Sequence, residues 1–150
     1  ANTSLFPPKR IVLDADGAIF EKSNLNLFNN SSSEVIVFTK VKHENLPSHV
    51  TLITPKEFSI KEILSEIAKL GIQSIYVEGG PNIHDQFLAS GYWDEVITYI
   101  SPILLGGNNT SSFTSNRITN EKIQLHDTKI TKLGEDIRVS GRRVSQCLQD

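Results

Sequence analysis

The chain reads as short apolar runs separated by polar, glycine- and proline-marked stretches, with one strongly periodic segment near its middle. Arg10 to Asp14 follows Pro7-Pro8, Val35-Ile36-Val37-Phe38 follows the polar stretch Asn29 to Ser33, and Val50 to Ile53 ends at Thr54-Pro55. Apolarity in these runs is continuous rather than alternating, which predicts strands covered on both faces, as in a parallel or mixed sheet. Ile60, Ile63, Leu64, Ile67 and Leu70 recur at the i, i+3, i+4, i+7 spacing of one helical face, so a helix is expected from Ile60 to Leu70. Ser59 and Glu62 fit a capping box at its start, and Gly71 supplies a left-handed stop.

The second half predicts a strand over Ser74 to Glu78, a tight turn at Gly79-Gly80, and a helix over Pro81 to Ser90 with Ile83, Phe87 and Leu88 inward and Gly91 as its stop. Val96 to Ile100 reads as a further strand, followed by Pro102-Ile103-Leu104-Leu105 and a polar loop from Gly106 to about Asn120. Lys122 to Lys132 and Asp136 to Val144 then form a hairpin around Leu133-Gly134-Glu135. The expected fold class is α/β: a mixed sheet flanked by helices, with a C-terminal antiparallel hairpin as its edge. No repeat of 20 to 50 residues is visible, which disfavours solenoids and propellers.

Composition adds limits. At 150 residues, with 38% hydrophobic and 21% charged positions and a formal net charge of −2, the chain 1–150 is expected to form a single domain without a field strong enough to capture nucleic acid or anionic membrane. The single Cys147 allows neither an internal disulfide nor a cysteine metal cluster. No apolar run is long enough to span a bilayer, and no basic segment leads into an apolar one at the N-terminus, so a cytoplasmic location is expected. Sequons at Asn29, Asn30 and Asn109 lie in Asn/Ser/Thr-rich stretches that generate the pattern by chance. The chain has no methionine, not even at position 1, as expected for a processed protein or a fragment.

Two segments could carry chemistry. In Ile11-Val12-Leu13-Asp14-Ala15-Asp16-Gly17, a buried strand delivers two carboxylates into a glycine turn, which resembles the first motif of haloacid-dehalogenase-type phosphatases. There a magnesium ion would bind the carboxylates; the alternative is that Asp14 and Asp16 end a strand and hydrogen-bond their own turn. Ala18 stands where that family has threonine, and Gly134-Glu135-Asp136 is a poor match to its late acidic motif. The second segment places Gly79-Gly80 between a strand and a helix N-terminus, where free N–H groups and the helix dipole favour an anion such as phosphate. It lacks the G-x-G-x-x-G spacing of a Rossmann fingerprint.

Tyr76-Val77-Glu78-Gly79-Gly80-Pro81-Asn82-Ile83-His84, then Phe87-Leu88, Gly91, Asp94-Glu95-Val96 and Tyr99-Ile100-Ser101-Pro102-Ile103-Leu104-Leu105-Gly106-Gly107, closely resemble the C-terminal reductase domain of the bacterial riboflavin-biosynthesis deaminase/reductase. Pro8 to Asp14 resembles the same family's preceding strand, so the likeness covers most of the chain from Pro8 to Gly107. The resemblance implies a dihydrofolate-reductase-like fold that binds NADPH and reduces the ribose of a 5-amino-6-(5-phosphoribosylamino)uracil to the ribityl chain. By position, Gly80, Pro81, Asn82, Ile83, His84, Asp85 and Gln86 match the family's cofactor-binding turn, and Glu78 matches a carboxylate facing the substrate. Ala15 and Thr39 would lie near the adenosine side of the cofactor, with Lys40 a candidate for its 2′-phosphate.

No residue is assigned to catalysis or to a metal. His84 is read as an ordinary exposed histidine at least as readily as a ligand donor, Trp93 as a packing or subunit contact, and Arg142-Arg143 as a solvated strand face. The resemblance further implies a homo-oligomer, a dimer, and an upstream deaminase domain. The family's reductase begins well before Pro8, with a segment carrying a catalytic lysine, so an N-terminally truncated domain, inactive alone, is expected. A non-catalytic oligomerising fragment is a third reading, because a truncated sheet exposes an unpaired edge.

Overall fold

A computed structural model describes residues 7–22, 25–104 and 122–144. The chain divides into two compact units, Ala1–Ser74 and Ile75–Asp150. In the first unit, β1 (Arg10–Leu13), β2 (Val35–Phe38) and β3 (Val50–Ile53) form a parallel sheet in that order, with Arg10, Val35 and Val50 in register at one end and Leu13, Phe38 and Ile53 at the other. β2 is central, and all four of its side chains are buried. This is the physical meaning of its unbroken apolarity. Ile36 and Phe38 pack against Ile63 and Ile67, whereas Val35 and Val37 pack with Val50 and the partly buried Phe20, Leu27 and Phe28.

The helix α2 (Ile60–Lys69) matches its expected span to one residue, because the periodic stripe faces the sheet: Ile60, Ile63 and Ile67 are buried. Ser59 Oγ accepts from the Glu62 N–H at 3.3 Å, half of the expected capping box, and Gly71 stands at φ 74° beyond the last turn. The β1–β2 crossover contains a 3₁₀ turn (Ala18–Glu21) and a single helical turn, α1 (Asn26–Asn29), which the sequence reading did not include. Elements of four residues are too short to display a period.

In the second unit, α3 (Pro81–Ser90) has its expected bounds, with Phe87 buried, Ile83 and Leu88 half-buried, and Gly91 at φ 72° as the stop. β4 (Glu95–Ile100), β6 (Asp136–Arg142) and β5 (His126–Leu133) form an antiparallel sheet in the order β4-β6-β5. The hairpin turns at Gly134-Glu135, with Gly134 at φ 65°, and Leu133 belongs to the strand rather than the turn. β5 starts at His126 rather than Lys122 and carries a bulge between His126 and Lys129, where Asp127 has φ 49°. Gly141 makes room for this bulge: a Cβ there would stand 2.7 Å from Leu125 Cβ.

Two expectations are corrected. Residues 74–78 form no strand, and Tyr76 is 67% exposed. Apolar, β-prone residues become a strand only where a neighbouring edge completes their ladder, and here the segment straddles the boundary between the two units and pairs with neither sheet. Consequently the parallel and antiparallel strands form two sheets among the described residues, not one mixed sheet. Cys147, Asn109 and the loop Gly106 to Asn120 lie outside the described residues. No helix of the described residues is long and apolar enough to cross a membrane.

Candidate functional site

At the C-terminal ends of the parallel strands, the loops after β1 and β2 are stitched together. Asp14 continues the ladder through its N–H to the Phe38 carbonyl at 2.9 Å, then turns: its Oδ2 accepts from the Ile19 N–H at 2.7 Å and its carbonyl from the Gly17 N–H at 3.4 Å. Asp14 therefore caps the 3₁₀ turn, the turn-forming alternative of the two readings. Gly17 is required there twice over: it has φ 74°, and a Cβ would lie 3.3 Å from Val41 Cβ.

The structure brings Ala15 and Thr39 together. The Ala15 carbonyl accepts from the Lys40 N–H at 3.1 Å and from Thr39 Oγ1 at 3.4 Å, while Thr39 Oγ1 accepts from the Val41 N–H at 3.2 Å. Thr39 is fully buried, and its N–H donates to the Ile53 carbonyl at 3.1 Å. Its hydroxyl is thus spent on shaping the loop. Lys40 is exposed, with its ammonium 5.7 Å from the centre of the Phe58 ring. Beside it, Phe20 stacks on His43 at 4.4 Å between ring centres, a contact without a sequence signal because the two rings sit on different crossovers.

In the second unit, the residues Glu78 and Gly80 to Gln86 surround the start of α3. Gly80 is the N-cap, with extended geometry (φ −78°, ψ 174°), and has no side chain with which to cap the helix. Pro81 at the first helical position has no N–H, so Asn82 and Ile83 offer the first amides, at positions where a helix supplies no acceptor. This contrasts with α2, whose first turn Ser59 closes. Neither Gly79 nor Gly80 has a positive φ, so the expected tight turn is absent. The glycines provide space instead: a Cβ at Gly79 would press to 3.1 Å from Ile83 Cβ and Cγ2, while nothing lies within 4 Å of one at Gly80. The His84 N–H donates to the Gly80 carbonyl at 3.2 Å, and Gln86 Nε2 donates to Asn82 Oδ1 at 3.1 Å, which orders the outer face of the turn. Glu78 is exposed.

Arg142 lies exposed on β6 opposite Glu95, as expected of a solvated strand face. Arg143, just beyond the strand and also exposed, donates from its guanidinium to the Gly91 carbonyl at the far end of α3, a contact the expectation did not include. Its partner is 52 residues away, a separation that no local pattern encodes.

Parallel strands with shaped loops at their C-terminal ends, a glycine-led helix and a terminal antiparallel sheet are elements of the α/β, dihydrofolate-reductase-like fold class. The chain belongs to the RibD C-terminal domain family, whose model matches residues 2–139. It is 30% identical over 144 residues to the riboflavin biosynthesis protein RibD of Bacillus amyloliquefaciens, covering 89% of this chain and 38% of that protein. To RibD of Aquifex aeolicus it is 28% identical over 140 residues, covering 91% of this chain and 39% of that protein. Its fold is similar to that of the diaminohydroxyphosphoribosylaminopyrimidine deaminase/5-amino-6-(5-phosphoribosylamino)uracil reductase of Thermotoga maritima, with a TM-score of 0.70 at 24% identity over 92% of this chain and 38% of that one.

Proposed function

We propose that this chain is the C-terminal part of a reductase domain that uses NADPH to convert a 5-amino-6-(5-phosphoribosylamino)uracil to its ribitylamino product. The reading rests on membership of the RibD C-terminal domain family and on the resemblance of its motifs to the reductase. The observation that supports the cofactor site is the glycine-led start of α3, where amides and open space meet at Gly80. A dinucleotide phosphate suits that chemistry, because helix N-termini present donors and a favourable dipole to anions.

The bound dinucleotide supplies a hydride from its nicotinamide ring. This chain's residues bind and orient it. The Asn82 and Ile83 amides donate to phosphate oxygens, and Gly80 keeps the approach clear. Pro81, His84, Asp85 and Gln86 complete the turn that holds those amides in place. Ala15 and Thr39, in a loop shaped by the Thr39 hydroxyl, would serve the adenosine portion, and Lys40 would offer a positive charge to the 2′-phosphate that distinguishes NADPH from NADH. Glu78 would face the substrate, to orient the ribose or help move a proton. The same reading includes a homodimer and, in the longer protein, a deaminase domain upstream.

Titration with NADPH and with NADH, followed by melting temperature, tests the reading. A ligand at 100 times its Kd stabilises the native state by about 2.7 kcal/mol. A rise with NADPH that exceeds the rise with NADH is the expected result, and no shift with either overturns the cofactor assignment.

A further inference from the structure

Arg143 lies just beyond β6, and its Nη1 donates to the carbonyl of Gly91, the residue that closes α3. The guanidinium also covers the Gly91 Cα: a Cβ there would stand 3.1 Å from Nη2, 3.2 Å from Nη1 and 3.3 Å from Cζ. The Arg143 N–H donates to the Asp94 carbonyl at 3.0 Å, so side chain and main chain together tie both ends of the α3–β4 connection to the end of β6. A cation at a helix C-terminus meets exposed carbonyls and the negative end of the dipole.

α3 depends on this clamp more than α2 would. Of its ten residues only Phe87 is buried, whereas α2 buries three. Apolar packing therefore fixes its direction weakly, and a rod about 15 Å long carries a displacement at one end to the other. At that other end stand the amides of Asn82 and Ile83, whose use to an anion depends on where they point.

We propose that Arg143 is a positioning residue for the first turn of α3, acting through the helix from its opposite end, and that it thereby sets the affinity of the Gly80–Gln86 turn for a dinucleotide phosphate. The proposal rests on the cofactor reading above. R143M and R143K are compared with the wild-type protein by NADPH titration and by hydrogen exchange of the amides from Asn82 to Gln86 without ligand. R143M is expected to weaken NADPH binding about five- to tenfold, less than the roughly tenfold to hundredfold that a charge-assisted hydrogen bond lost at the ligand itself would cost, because the contact acts through the helix. It should also speed exchange in the first turn, a readout that a change confined to the far end of the helix would leave unmoved. R143K should recover part of the loss, since an ammonium still donates to the Gly91 carbonyl but cannot cover the glycine.

If wild type binds NADPH and R143M binds it equally well, the proposal is overturned whatever happens to the melting temperature. If R143M fails to fold, an R143K protein with wild-type affinity overturns it instead. If wild type binds no dinucleotide, the cofactor reading falls, and first-turn exchange alone decides: acceleration in R143M supports the positioning role and unchanged exchange refutes it.

Discussion

Thr39 and Asp14 decide the shape of the loops beyond the parallel strands, and each uses its side chain on the protein's own backbone. Asp14 is a carboxylate at a strand end, a pattern that serves a metal site or a turn; its Oδ2 accepts from the Ile19 N–H, as the turn reading expects. Thr39 was legible as a residue near the site, but its hydroxyl partner was not, because Ala15 is 24 positions away. The side chain therefore works by holding the Ala15 loop rather than by reaching outward. Thr39→Val keeps the volume but deprives the Val41 N–H of its acceptor, and is expected to cost about 1–3 kcal/mol. Thr39→Ser keeps the hydroxyl and should restore most of the loop geometry, as read by urea denaturation and by the backbone chemical shifts of Ala15 and Val41.

Among the elements, those whose burial is set by one dominant face were readable. β2 and β3 follow from unbroken apolar runs, and α2 from its stripe and its Ser59 cap. Ser74 to Glu78 failed because strand formation depends on a partner edge that composition does not encode, and the bulge in β5 failed because it depends on what faces Gly141. The two ten-residue helices differ most at their starts, and this difference suggests a direct trial. Gly80→Ser gives α3 the kind of cap α2 already has, and should stabilise the protein by about 0.5 kcal/mol while weakening NADPH binding, because the new hydroxyl occupies an amide the phosphate needs. Opposite signs in the thermal melt and the NADPH titration are the expected outcome; a Gly80→Ser protein with unweakened NADPH affinity would remove the first turn of α3 from the cofactor site.

At the scale of the whole molecule, burial is uneven. Among the described residues, eight of the nine buried hydrophobic ones, from Val35 to Ile67, belong to the first unit, and Phe87 belongs to the second. Local opening follows packing, so amides of Val35 to Phe38 should exchange slowest and those of β4 to β6 at a lower opening free energy; equal protection in both units would contradict this ranking. The family likeness was readable because motifs near α3 fall in an ordered series, although the chain spans 38% of the Bacillus amyloliquefaciens relative. The outer strand β5 has a consequence for the chain in concentrated solution. Its ladder is interrupted by the bulge, and Lys129 and Lys132 project to opposite faces of it. A second molecule approaching that edge meets an ammonium group on either side and no long straight row of amides, so the strand resists acting as a template for fibrous aggregation.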